Sequence, residues 1–408
     1  MTAKNHLAIA ATLCITTAAV LHLTSCSSKP SQVQYLPGFG SEPEIRRAES
    51  ADNTELFPTP TQLNIPAGSV ELNDAARFLA GLPSLSGQTT MAPLRASAAW
   101  QKHKSQLDHM WQDFENRHAG PVSHWASSHI SDLRTANAVL YPFSGPDFVF
   151  ANLFYPKAET YVLCGLEPCE PLPSWSSLSG SDVEGGLAGL TNSLSSILQF
   201  SYFITKDMRQ DFQATRFRGV LPVFLVFLTR TGHVVESVDA VRLDGNGSPV
   251  VSAAGQSSVS GLLIRVRGSH GPKRIFYFSQ DLSDSALSTN APFLKFASSL
   301  GRPAVLLKSA SYLMHESYFS HIRNHLLTNT SGIVEDPSGV PWKSFTERNW
   351  RMSLYGNYQN TIPIFKQYEQ PDLAAAYLDR SYGASPLPFS IGYLLDPATT
   401  SLIVGRPR

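Results

Sequence analysis

Polar and apolar residues change their rhythm near residue 137, and the change divides the chain. Before it, from Leu72 to Arg134, the pattern is helical. Between Ala98 and Arg117 it sets Trp100, Leu107, Met110, Trp111 and Phe114 near one face, with Lys, Gln and Asp between them. Gly120-Pro121 predicts a stop, and a second, shorter helix is expected from Val122 to Leu133. After it, short apolar runs alternate with helical stretches. The segment NAVLYPFSGPDFVFANLFYPKAETYVLCGLEPC, Asn137 to Cys169, reads as a strand (Ala138–Phe143), a turn, a short helix (Pro146–Phe154) and a second strand (Thr160–Leu166).

Further helices are expected over Gly185–Thr205, Pro292–Leu300, Ser317–Leu327 and Ile362–Leu378. Strands are expected at Leu262–Val266, Arg274–Ser279, Ala304–Lys308 and Gly332–Glu335. Gly219–Thr229 is an unbroken apolar run too short to span a bilayer, hence buried core. Gly245–Gly261 is a polar, low-complexity stretch expected to be a surface loop. Pro388–Leu394 and Ser401–Val404 are expected to close the chain as an antiparallel pair around Asp396-Pro397. Alternating strands and helices predict an α/β fold: a mostly parallel, Rossmann-like sheet in three layers, with helices on both faces. Residues 67–136 form a helical N-terminal layer in this reading, and residues 137–408 the α/β domain. The first two strands are expected to be parallel neighbours through their helical crossover.

The N-terminus adds a compartment. Lys4 is followed by an apolar run from Leu7 to Val20, the length of a signal core rather than of a membrane span. It ends in Leu23-Thr24-Ser25-Cys26, which resembles the lipobox of bacterial lipoproteins. That resemblance implies cleavage after residue 25, acylation of Cys26 (palmitate among its chains), and a protein held on a membrane without crossing it. Ser27-Ser28 after the cysteine implies, by the same resemblance, the outer membrane of the cell envelope. Residues 26–66, rich in Ser, Pro, Glu and Gln, read as a flexible tether.

Composition narrows the partners. Lys plus Arg and Asp plus Glu number 32 each, so the basic surplus of a nucleic-acid binder is missing and none is expected. Cys14 falls in the signal and Cys26 in the lipobox, leaving Cys164 and Cys169 with four residues between them. Outside the cytoplasm these are read either as a local disulfide or as two unlinked thiols, since a straight strand would hold them too far apart. Two cysteines without a second pair give no zinc site, and no metal is assigned.

The candidate chemistry gathers at strand ends. Ser144, Gly145, Pro146 and Asp147 follow one strand and open a helix, where ligands bind in open α/β sheets. Glu167 ends the next strand, within reach of ribose hydroxyls. With the closing strand pair, the layout resembles the Rossmann-like methyltransferases that use S-adenosylmethionine. The resemblance implies a nucleotide at Ser144, Gly145, Asp147 and Glu167. Without it, the same residues make a strand-turn-helix corner with Asp147 at the helix start. Asp281 and Asp284 follow another strand and suit either a carboxylate pair or turn and helix capping. Ser144, Asp147 and Glu167 are expected to line one pocket, with Asp281 or the His315 region beside it. EDPSGVPW, Glu335 to Trp342, is a loop able to line a pocket mouth.

Other signals are weaker. His103, His109, His118, His124 and His129 lack helical i, i+4 spacing and are expected to face solvent or cap helices. His321 and His325 have that spacing, but Ile322 stands where a zinc protease has Glu. No G-x-S-x-G elbow occurs. The expectation is a lipid-anchored exported protein binding a small or polymeric ligand at the carboxyl edge of its sheet, with no cofactor assigned. The alternative is an enzyme, methyltransferase-like or a carboxylate-dependent hydrolase.

Overall fold

A computed structural model describes residues 56–57, 65–85, 91–202, 215–252, 261–394 and 396–408. The signal segment, Cys26, nearly all of the tether, Phe203–Thr205 of one expected helix and 253–260 of the low-complexity loop lie outside them.

The N-terminal helices are α1 (Val70–Leu79), α2 (Ala92–Arg95), α3 (Ala98–Phe114) and α4 (Gly120–His129). The expected stop at Gly120-Pro121 does not occur. A π-turn over Glu115–Ala119 carries α3 into α4, and the N–H of Gly120 bonds the carbonyl of Glu115. The wider turn accommodates Pro121, which has no N–H to donate and would collide with an α-helical carbonyl four residues back. His118, within the turn, is buried, and so is His103 on α3, bonded to Thr191 and the carbonyl of Leu79, whereas His109, His124 and His129 are exposed as expected.

Then follow β1 (Ala138–Tyr141), α5 (Phe148–Phe154), β2 (Thr160–Gly165), α6 (Gly180–Phe200), α7 (Leu221–Arg230), β3 (Val234–Leu243), β4 (Pro249–Val251), β5 (Gly261–Gly268) and β6 (Gly271–Ser279). The chain continues through α8 (Pro292–Ser299), β7 (Ala304–Leu307), α9 (Ser320–Thr328), β8 (Gly332–Glu335), β9 (Trp350–Gly356), α10 (Pro371–Leu378) and β10 (Ser401–Pro407). The ten strands of the described residues share one sheet in the order β4-β3-β5-β6-β2-β1-β7-β8-β10-β9.

The fold is α/β, but the sheet is mixed rather than mostly parallel. Four strand pairings are parallel, and all four lie in the run β6-β2-β1-β7-β8. The other five are antiparallel and build both flanks. The reason lies in connection length. Only Ser269 and His270 separate β5 from β6, and so tight a turn can join only antiparallel strands. The parallel pairing of β1 with β2, expected from the crossover through α5, is present. At the C-terminal end Ser401–Val404 is a strand, yet its partners are β9 and β8, not Pro388–Leu394.

Strand alternation sorts the core. Val139, Tyr141, Leu163, Tyr277, Leu306, Val334 and Val404 belong to the main apolar cluster with α3, α4, α5, α6 and α7. On the other face Leu354 and Ile403 pack with Leu373 and Ala376 of α10, and the rings of Phe276 and Phe278 meet Phe296 of α8 at 5.1 and 5.4 Å. Trp125 anchors α4 to the sheet, edge-on to Tyr355 at 4.8 Å.

Burial leaves several histidines neutral. Desolvation pulls His118 down to about 4 and His233 down to about 3 from an ordinary 6.5. An unfolded chain therefore takes up protons below pH 6.5 that the folded chain refuses, so these groups subtract stability as pH falls from 6.5 toward 4. His233 can be isolated by comparison. Between pH 7 and pH 5 the parent should lose about 2 kcal/mol more unfolding free energy than His233→Asn, read from denaturant titrations at each pH.

Candidate functional site

The run of parallel strands fixes where a site can be. β1 lies between β2, which follows it in the chain, and β7, which comes far later. The loop leaving β1 runs toward β2 and the loop leaving β7 runs toward β8 on the other side, so the two part at the carboxyl ends, where a crevice opens in open α/β sheets. Backbone strain concentrates at the same end. Phe143 after β1 and Ser309, Ser311 and Tyr312 after β7 all have positive φ, between 53° and 61°. Side-chain-bearing residues rarely adopt this conformation unless their surroundings impose it.

Lys308 immediately precedes the strained turn after β7. It ends the apolar run of β7, and its ammonium is 2.9 Å from Asp147 with both side chains almost fully buried. The same Nζ donates to the carbonyl of Ser201 and lies 4.1 Å from the centre of the Phe150 ring. Asp147 caps α5 by accepting the N–H of Phe150 at 3.2 Å, and it accepts the hydroxyl of Tyr141 at 2.8 Å. Burial pushes the Lys308 ammonium below its ordinary range, and the Asp147 carboxylate acts in the opposite sense.

The loop after β8 meets the loop after β7. Asp336 accepts the N–H of Ser309 at 2.8 Å, the N–H of Ser338 at 2.9 Å and the Ser338 hydroxyl. Ser338 Oγ in turn accepts the N–H of Ala310 at 2.7 Å. The Tyr393 hydroxyl donates to the carbonyl of Ser309 at 2.8 Å and accepts the N–H of Ser311 at 3.1 Å. Burial raises the Asp336 carboxyl, and the serine donors and Lys308 pull it back. Its neighbour Glu335 is fully buried, and burial pushes its carboxyl well above the ordinary value, while the N–H of Val340 acts in the opposite sense.

Ser144, Gly145 and Glu167 do come together, at the ends of β1 and β2, but they are packed shut. Ser144 Oγ accepts the N–H of Cys164 at 3.2 Å, and Gly145 N–H donates to the carbonyl of Cys164 at 3.1 Å. Glu167 is 2% exposed and accepts the Tyr277 hydroxyl at 2.7 Å. Its carboxylate lies over two glycines: a Cβ on Gly165 would stand 2.1 Å from Oε2, and one on Gly145 3.3 Å from Oε1. Asp147 belongs to the Lys308 centre instead.

The pocket expected for Ser144, Asp147 and Glu167, with Asp281 or the His315 region beside it, is thus corrected. Asp147 is 1% exposed and engaged in a cap and an ion pair. Asp281 is half-buried and accepts the N–H of Ser283 at 2.8 Å in a turn, while Asp284 caps α9 through the N–H groups of Ser320 and His321 at 3.1 and 2.8 Å. A small cleft opens over β7 and β8, its space about 20 Å³, and Tyr312, Asp336, Ser338, Tyr358, Thr361 and Tyr393 are on its walls. The Glu335–Trp342 loop thus does line a pocket through Asp336, Pro337 and Ser338. His315 lies behind, its ring 5.1 Å from Tyr312.

Cys164 and Cys169 are free and buried. Cys164 is still in ladder register with Phe278, and Cys169 lies beyond the Glu167-Pro168 turn, packed in the main core with Leu163. Cys164 alternates with Leu163 along β2 and so faces away from the core in which Cys169 packs, in keeping with two unlinked thiols. Among the described residues no three His, Cys, Asp or Glu side chains converge as metal ligands. His321 instead bonds the carbonyl of Leu287 at 2.5 Å.

Lys308 escaped the sequence reading because it looks like the last residue of a strand. The only signal was a charge at the end of an apolar run with no polar partner nearby in the chain. Compared with known proteins, the chain matches no family model, no curated protein and no solved structure.

Removing one partner of a buried pair leaves an uncompensated charge. Lys308→Met alone should cost about 3–5 kcal/mol, and Lys308→Met with Asp147→Asn should recover a large part of it. Denaturant unfolding of the two single variants and the double variant measures the coupling.

Proposed function

We propose that the chain is a ligand-binding protein on a Rossmann-like sheet, taking a small polar molecule at the carboxyl edge of β1, β7 and β8. One observation carries the reading. The parallel strands reverse their chain order at β1, and strained, cross-linked loops surround that point. Numbered by their own succession, the parallel strands run 3-2-1-4-5, and β10 enters antiparallel between β8 and β9. Gly145 in the first loop and Glu167 beyond the second strand are the residues on which the methyltransferase resemblance rests.

Binding is favoured over methyl transfer by how those residues are used. Glu167 is turned onto Gly145, Gly165 and Tyr277, the space a ribose would need. A hydrolase using paired carboxylates is less well supported still, because Asp147 and Glu167 each serve internal bonds. The enzyme that the strand order favours is therefore the second reading: a methyltransferase-type protein whose Glu167 swings outward when nucleotide arrives.

The proposal includes the compartment. Leu23-Thr24-Ser25-Cys26 after an apolar segment supports acylation of Cys26 and a place on the cell envelope, most simply the outer membrane. No described helix is long and apolar enough to cross a membrane, which is neutral for a lipid-anchored protein.

Two measurements test the reading. Native mass spectrometry of protein extracted gently from its own membrane should find a small molecule bound one to one, and Tyr393→Ala should lose it. Empty parent protein in repeated preparations counts against binding, and turnover of added S-adenosylmethionine would favour the enzyme. Cys26→Ser should abolish palmitate labelling and move the protein to the soluble fraction. An unlabelled variant still in the membrane fraction would refute the anchor.

A further inference from the structure

The cleft over β7 and β8 has a chemistry of its own. Its space of about 20 Å³ suits a group the size of one water molecule. Three tyrosines, Tyr312, Tyr358 and Tyr393, contribute to its walls, and Asp336 is the carboxylate among them. The nearest buried cation, Lys308, is paired with Asp147 at 2.9 Å. Asp336 is held by neutral donors, the N–H groups of Ser309 and Ser338 and the Ser338 hydroxyl. A separate observation points to a missing guest. Thr361, on the same wall, is 7% exposed, and its buried hydroxyl has no hydrogen-bond partner.

Resting on the proposal that this edge binds a ligand, we infer that the cleft takes the primary ammonium end of a small aliphatic amine. An ammonium has three donors and no acceptor, which suits a carboxylate and an unpartnered hydroxyl. Tyrosine faces attract a desolvated cation. The carboxylate repels anions, and the dimensions exclude a quaternary head, whose methyl groups need several times the room. A neutral hydroxyl of the same size would gain no charge-assisted bond to Asp336.

The test uses the full chain and three probes: n-butylammonium chloride, n-butanol and tetramethylammonium chloride, each titrated against tyrosine resonances by NMR. The expected result is that n-butylammonium binds at least tenfold tighter than either of the others. Thr361→Val should weaken it severalfold, and Asp336→Asn should abolish it. Asp336 also braces two loops, so if Asp336→Asn fails to fold, Thr361→Val decides. Equal or tighter binding of n-butanol or tetramethylammonium overturns the ammonium assignment while leaving a ligand at the edge. Butylammonium binding that ignores Thr361→Val places the amine elsewhere and also overturns it. If no probe binds, the assignment fails, and the ligand sought by native mass spectrometry then decides separately whether the edge binds anything.

Discussion

The Lys308–Asp147 pair holds the carboxyl edge of the sheet together. Two opposite charges, each almost wholly out of water, are tolerable only because each is also satisfied by neutral groups. Asp147 has the α5 N-terminus and the Tyr141 phenol; Lys308 has the Ser201 carbonyl and the face of Phe150. The pair thus ties the loop after β1 to β7 and to the end of α6. Ser201 is the left-handed cap of that helix, and its hydroxyl reaches the carbonyl of Gly392 at 3.3 Å. Gly392, with φ of 76°, is where Asp336 closes in, since a Cβ there would lie 2.0 Å from Oδ2. One lysine therefore connects four segments of chain.

The strained residues, Ser309, Ser311 and Tyr312, lie directly after the pair's lysine in left-handed conformations. Their backbone groups are then taken up by Asp336 and Tyr393. Such conformations cost about 1–3 kcal/mol each and persist only in surroundings that over-determine them. The result is a stiff, polar rim around a small cleft. On the β2 side the rim is closed by its own Glu167, so the two halves of the edge differ: one filled, one open.

Much of the scaffold was legible from apolar rhythm alone. The β8 limits match the apolar run Gly332–Glu335, and β1, β2, β6 and β7 fall close to their expected places, because buried parallel strands are short apolar blocks between turn residues. β3 and β9 were missed because both carry charges, Glu236 and Asp239 on half-buried positions and Arg351 on an exposed one, which blur the period of two. Missing β3, β4 and β9 hid much of the antiparallel flanks, although β5 and β10, both read from the sequence, also pair antiparallel, with β6 and β8. In the site, Ser144, Gly145 and Glu167 were grouped correctly by their positions at strand ends. Whether Asp147 faced a ligand or a lysine depended on a partner 161 positions further along, Lys308, and no local pattern encodes such a distance.

The buried pair organises the carboxyl edge of β1, β7 and β8 and is not merely one stabilising contact among many. Amide hydrogen exchange on folded Lys308→Met, compared with the parent, measures this directly. Protection should fall at the backbone amides of Gly145, Ser201, Ser309, Ala310, Ser311 and Ser338. It should be unchanged in β3, β5 and β6, which share the sheet but not the pair. A uniform loss of protection across the sheet, or none at the β1, β7 and β8 loops, would contradict it.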